Sequence, residues 1–319
     1  MQIPADAWQV GPWNRYAYTH VSEVVPTVPV ACGETRPLRI EPVELDLELD
    51  PCTDGIAVVR DGALVYERYG GEMDERSLHL SQSVGKSVVG LTAGIVGVDP
   101  AAPVTEFVPE IRGSGYDGAT VRHLLNMTAA IDFVEDYQSF VAYDAACGWH
   151  PPHPDVPGTI LEYLPTIGPA TWAHGERFHY ATPNTDLLGI VAERLGGAPL
   201  AELIARELWA PLGAEHDALL TVDHAGTAAI GGGFCATLRD YARLGELVRL
   251  GDFELGAGGY SNQWWTIDGR VTAQGIHGQR IAVGRDTVVA ILSSWPEAEG
   301  LDESHRALVA GACDSAAEG

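Results

Sequence analysis

A chain of 319 residues, 46% hydrophobic and 20% charged, has enough apolar material for one large core or two closely packed ones. Its 44 acidic side chains against 19 basic ones, a net charge of −25, argue against a nucleic-acid or anionic-membrane partner, since both require a basic footprint. The first thirty residues lack a basic start followed by an apolar run, and no stretch approaches the ~20 apolar residues of a membrane span. Cys32, Cys52, Cys147, Cys235 and Cys313 are scattered without CxxC spacing, so the expectation is a cytoplasmic protein with reduced thiols.

Residues 1–51 are proline-rich and read as an irregular strap. Two β-rich runs, 55–59 and 63–69, are separated by Arg60-Asp61-Gly62, and Asp-Gly between such runs is a hairpin signal. Residues 83–96 follow as a helix rich in small residues. Helical periodicity returns at 121–127, 186–195 and 200–208, joined by loops such as the proline-rich 150–158. Strands are expected again at 263–267, 276–283 and 287–293, and a helix over about 301–313 closes the chain. The pattern predicts an α/β (α+β) fold, with an antiparallel sheet built from both chain ends, flanked by helices, and a mostly helical insert. On this reading 1–82 is the strap and first strands, 83–220 the helical domain, and 221–319 the return to the sheet domain.

The chain holds a single lysine, Lys86, three residues after Ser83 in Ser83-Val84-Gly85-Lys86. Arginine stays protonated at any working pH, whereas a buried ε-amine can lose its proton and act as a base. On a helix, residues three apart share a face, so a hydroxyl nucleophile and an amine activator can meet. Chance accounts for many Ser-x-x-Lys sequences, and further residues are needed to decide. Tyr180 stands just before a helical run in Tyr180-Ala181-Thr182-Pro183-Asn184, and its phenol can relay a proton. Gly275-Ile276-His277-Gly278-Gln279 opens a late strand where glycines allow close backbone approach, and Gln263-Trp264-Trp265 lies just upstream.

In this order these segments resemble the serine hydrolases of the β-lactamase and penicillin-binding-protein fold. Within it they are most similar to the branch of 6-aminohexanoate-dimer (nylon-oligomer) hydrolases and related carboxylesterases. The resemblance spans nearly the whole chain, and includes Asn14-Arg15-Tyr16-Ala17, Thr-Val-Arg-His-Leu-Leu-Asn-Met-Thr at 120–128 and Gly231-Gly232-Gly233. It implies Ser83 as nucleophile, Lys86 and Tyr180 as proton-handling groups with the immediate base left open, and the Ser83 and Ile276 amides as the oxyanion hole. It also implies substrate contacts at Tyr137, Asp144, Trp149, Trp265 and His277. Two departures matter. Ile276-His277-Gly278 stands where penicillin-recognising members commonly have Lys-Thr-Gly, and the tyrosine motif is Tyr-x-x-x-Asn. Small linear amides and esters, aminohexanoate oligomers among them, are therefore the expected substrates. A D-amino-acid peptidase or β-lactamase is the alternative enzyme, and a catalytically silent binding protein the non-enzymatic one. No cofactor or metal is expected, and homodimer formation is left open.

Overall fold

The structure, a computed structural model, describes residues 3–136, 141–299 and 302–317. Tyr137 therefore lies outside the described residues. In chain order the strands are β1 (Thr27–Val30), β2 (Arg39–Ile40), β3 (Thr53–Arg60), β4 (Ala63–Tyr69), β5 (His79–Leu80) and β6 (Ala218–Thr221). They continue with β7 (Phe234–Ala236), β8 (Tyr260–Ser261), β9 (Trp264–Ile267), β10 (Arg270–Gly275), β11 (Gln279–Val283) and β12 (Thr287–Ser293). Eight of them form one sheet in the order β2-β4-β3-β12-β11-β10-β9-β8, antiparallel throughout except for the β2–β4 pair. Strands from both chain ends thus share a sheet, and the C-terminal β12 pairs directly with β3.

The β3–β4 hairpin closes where Arg60 pairs with Ala63, leaving Asp61 and Gly62 as a two-residue loop. Both have positive φ, +47° and +78°, the conformation whose twist suits a two-residue hairpin. Along β3 the side chains alternate: Ile56 and Val58 face one core, Ala57 and Val59 the other. The first face is covered by Leu308, Val309 and Ala312 of the Asp302–Ala317 helix. The second packs against the Leu238–Leu250 helix, whose Leu238, Tyr241, Ala242, Leu244 and Val248 are buried. Being covered on both sides explains why β3 and β12 read as continuous apolar runs.

Three sequence expectations change here. The strap is not irregular throughout: it contains the Asn14–Ala17 helix and β1, which pairs with β6 in a second, four-stranded sheet ordered β1-β6-β7-β5. Residues 276–283 are not one strand. Ile276–Gly278 is a turn with His277 at φ +59°, and Gly275 pairs with Gln279 across it, so β10 precedes the turn and β11 follows. The helix expected from 186 starts earlier, at Thr182, with Pro183 in its first turn where a missing N–H has no helical partner to lose.

The helix bearing Lys86, Val84–Val96, is buried along its first ten residues and packs against the Thr182–Gly196 helix. Its glycines also let other backbone come close. A Cβ at Gly85 would stand 2.4 Å from the Ile230 carbonyl oxygen, a distance no side chain tolerates. Among the described residues, no helix is long and apolar enough to cross a membrane.

Candidate active site

Ser83 is the N-cap of the Val84–Val96 helix, so its backbone N–H is among the amides that a helix start leaves without an internal partner. The preceding Gln82 has φ +49°, and its side chain donates to the Tyr18 hydroxyl at 2.9 Å. Tyr18 in turn donates to the Gln9 carbonyl. The strap therefore anchors the turn that presents Ser83.

One helical turn on, Lys86 is buried and its Nζ lies 2.9 Å from Ser83 Oγ. The same amine donates to the Gly231 carbonyl at 2.6 Å. Burial lowers the Lys86 pKa, because the ammonium loses its hydration, while the Glu135 and Asp186 carboxylates oppose that shift. Tyr180 borders the same cavity as Ser83, and the Lys86 Nζ stands 5.2 Å from its ring centroid. Burial, reinforced by the charge of Glu135, pushes the Tyr180 phenol well above its ordinary range, so it holds its proton.

The end of β10 passes beside the Ser83 backbone. A Cβ on Gly275 would meet the Ser81 carbonyl oxygen at 2.5 Å and the Ser83 nitrogen at 3.0 Å, so only glycine lets the strand come this close. That approach places Ile276 next to Ser83, and the two border both cavities that flank the serine.

The smaller cavity, about 210 Å³, is bordered by Lys86, Glu135, Asp144, Trp149, Asp186 and His277, with the strap residues 6–10 as a further wall. The larger, about 570 Å³, is bordered by Tyr180, Trp265 and the segment 274–280 apart from His277. Trp149 and Trp265, both expected as substrate contacts, border different cavities. Trp149 is fixed by a hydrogen bond from Nε1 to Thr221 Oγ1 and by an edge contact with Trp8. Asp144, on the Val141–Ala146 helix, is half-buried and accepts from Gln9 Nε2 at 3.0 Å. Burial pushes its carboxyl up to about 7, and Glu135 adds to the rise. His277 is buried with Nδ1 2.7 Å from the Trp295 carbonyl, which fixes the proton on that nitrogen; burial lowers its pKa to about 4.

Several groups here had no role in the sequence reading. Asp186 accepts from the Gly231 amide at 2.7 Å and from the Tyr143 hydroxyl, and burial raises its carboxyl to about 6. It thereby fixes Gly231, whose carbonyl holds Lys86. Glu135 accepts from the Thr182 amide and hydroxyl, capping the helix that follows Tyr180. The available signal was a single acid, Asp186, ahead of the apolar run Leu187–Ala192.

A buried amine lies against a helix-start serine with a phenol close by, an arrangement in which the hydroxyl can be activated as a nucleophile. The sequence model of the beta-lactamase family matches residues 53–264, and the chain belongs to that family. It is 32% identical to the 6-aminohexanoate-dimer hydrolase of Paenarthrobacter ureafaciens, over 92% of this chain and 88% of that one. Among solved structures, a Bacillus anthracis protein provisionally given the same name superposes with a TM-score of 0.88 at 22% identity, covering 99% of this chain and 96% of that one. A family VIII carboxylesterase superposes at 0.62 with 14% identity, covering 82% and 91%. The protein is a β-lactamase-fold hydrolase, and a serine acyl-enzyme is the general mechanism of its family.

Proposed function

We propose that the protein hydrolyses small linear amides and esters through an acyl-enzyme on Ser83, and that acyl groups ending in a cation, such as 6-aminohexanoyl, are favoured. The observation that carries this reading is the 2.9 Å approach of the desolvated Lys86 amine to Ser83 Oγ. As Oγ bonds to the substrate carbonyl carbon, its proton passes to neutral Lys86. The carbonyl oxygen, now negative, faces the Ser83 and Ile276 amides. Collapse breaks the C–N or C–O bond, and the leaving atom takes its proton from the Tyr180 phenol, which Lys86 then reprotonates. Water repeats the attack on the acyl carbon and releases Ser83. On this reading Lys86 is the base and Tyr180 the acid, which the lowering of the amine and the raising of the phenol by burial support.

Neutral His277 supplies no cation for the carboxylate of a β-lactam. The test is a panel of p-nitrophenyl acetate, 6-aminohexanoate dimer, a D-dipeptide and nitrocefin. Turnover of the first two above nitrocefin and the D-dipeptide supports the reading; the reverse order refutes it.

Replacing Gly275 by alanine should push the end of β10 away from Ser83 and widen the gap between the two amides. Removing one such donor typically costs about 10²–10³ in kcat. A Gly275→Ala variant that folds and keeps full kcat would remove Ile276 from the oxyanion hole.

A further inference from the structure

Ser83 and Ile276 border both cavities, but the proton-handling groups divide. Lys86 borders only the smaller cavity, with Asp144, and Tyr180 only the larger, with Trp265. On the acyl-enzyme reading above, on which this inference rests, the departing atom collects its proton from Tyr180. The breaking bond then points into the larger cavity, and the acyl half remains in the smaller.

The larger cavity has an aromatic wall held in a fixed plane. The half-buried Trp265 indole stacks on Tyr180 with centroids 5.8 Å apart and planes 26° from parallel. Tyr260 packs edge-on against it at 4.6 Å, and Phe178 at 5.6 Å. Phe178 remains 46% exposed and continues the apolar surface outward. Part of the polar lining is engaged within the protein. Gln279 donates to the Ser293 carbonyl and accepts from its amide, while Gln274 accepts from Arg280. Gln279 thus has little left for a ligand, whereas Trp265 brings an indole to the cavity's border.

We propose that the larger cavity is a leaving-group subsite for planar aromatic alcohols and amines, seated against Trp265. Its boundary with Tyr180 puts the departing oxygen or nitrogen beside the phenol while the ring lies on the indole.

Benzyl and ethyl butyrate test this, because they share an acyl group and hence a deacylation step. The expectation is a preference for the benzyl ester in kcat/KM that falls about fivefold in Trp265→Leu and is largely kept in Trp265→Phe. An unchanged benzyl-to-ethyl ratio in the leucine variant, with turnover persisting, overturns the subsite and leaves the hydrolase reading standing. A second measurement needs no variant. Benzyl alcohol should inhibit ethyl butyrate hydrolysis at concentrations at least ~10-fold below ethanol, and equal inhibition overturns the subsite. If the wild-type protein turns over neither ester nor any other acyl substrate, the acyl-enzyme reading fails and the subsite falls with it.

Discussion

Replacing Lys86 by arginine is expected to lower kcat/KM nearly as far as replacing it by alanine, on the order of 10²–10⁴-fold. Arginine keeps a positive charge but cannot give up its proton near neutral pH, so it cannot accept one from Ser83. If Lys86 acted only as a fixed charge, arginine would restore much of the rate. Comparing the two variants separates base from electrostatic roles, provided that both retain cooperative unfolding. Burial lowers the Lys86 pKa, so the wild-type rate should rise with pH as the amine loses its proton, and the arginine variant should lose that limb. Lys86 is also the chain's only lysine, so once the protein is unfolded amine-directed reagents should modify one lysine side chain.

The second large effect concerns substrate charge. Asp144→Asn is expected to reduce kcat/KM for the 6-aminohexanoate dimer by about 10–100-fold while sparing a neutral short-chain ester. An ammonium and a carboxylate 4 Å apart gain about 1 kcal/mol in water and about 4 kcal/mol in a partly desolvated site. A neutral ester has no such interaction to lose. Because the Asp144 carboxyl is raised to about 7, it is neutral below that pH and charged above it. In the wild-type protein, the preference for cationic over neutral acyl groups should therefore grow as pH rises through about 7. The Asn variant should show a flat preference. Equal loss on both substrates would make Asp144 a support of the Val141–Ala146 helix, and no loss on either would remove it from substrate recognition.

The meeting of Ser83 and Lys86 was legible in the sequence because helical spacing is local: three residues fix which side chains share a face. The β3–β4 hairpin was legible for the same reason, since Asp61-Gly62 encodes its own turn. What escaped depends on partners far apart in the chain. Asp186 touches Gly231 and Tyr143, each more than forty positions away, and no periodicity links them. Glu135 caps a helix that starts at Thr182, a contact that exists only after folding. The turn at Ile276–Gly278 was misread as strand because its apolar first residue continues a β-like pattern. Gly275 and Gly278 flank a left-handed His277, an uncommon conformation for a non-glycine residue that sequence gives no reason to expect. β6 and β7, at four and three residues, are too short to show alternation.

The most direct test of the acyl-enzyme is to trap it. The protein is mixed with p-nitrophenyl butyrate, quenched in acid within the first turnovers, digested and mapped by mass spectrometry. The account predicts a butyryl adduct on the peptide containing Ser83, localised to that residue, absent in Ser83→Ala and accumulating in Lys86→Ala only at a much reduced rate. An adduct on any other side chain, or rapid ester turnover by a folded Ser83→Ala variant, would contradict it.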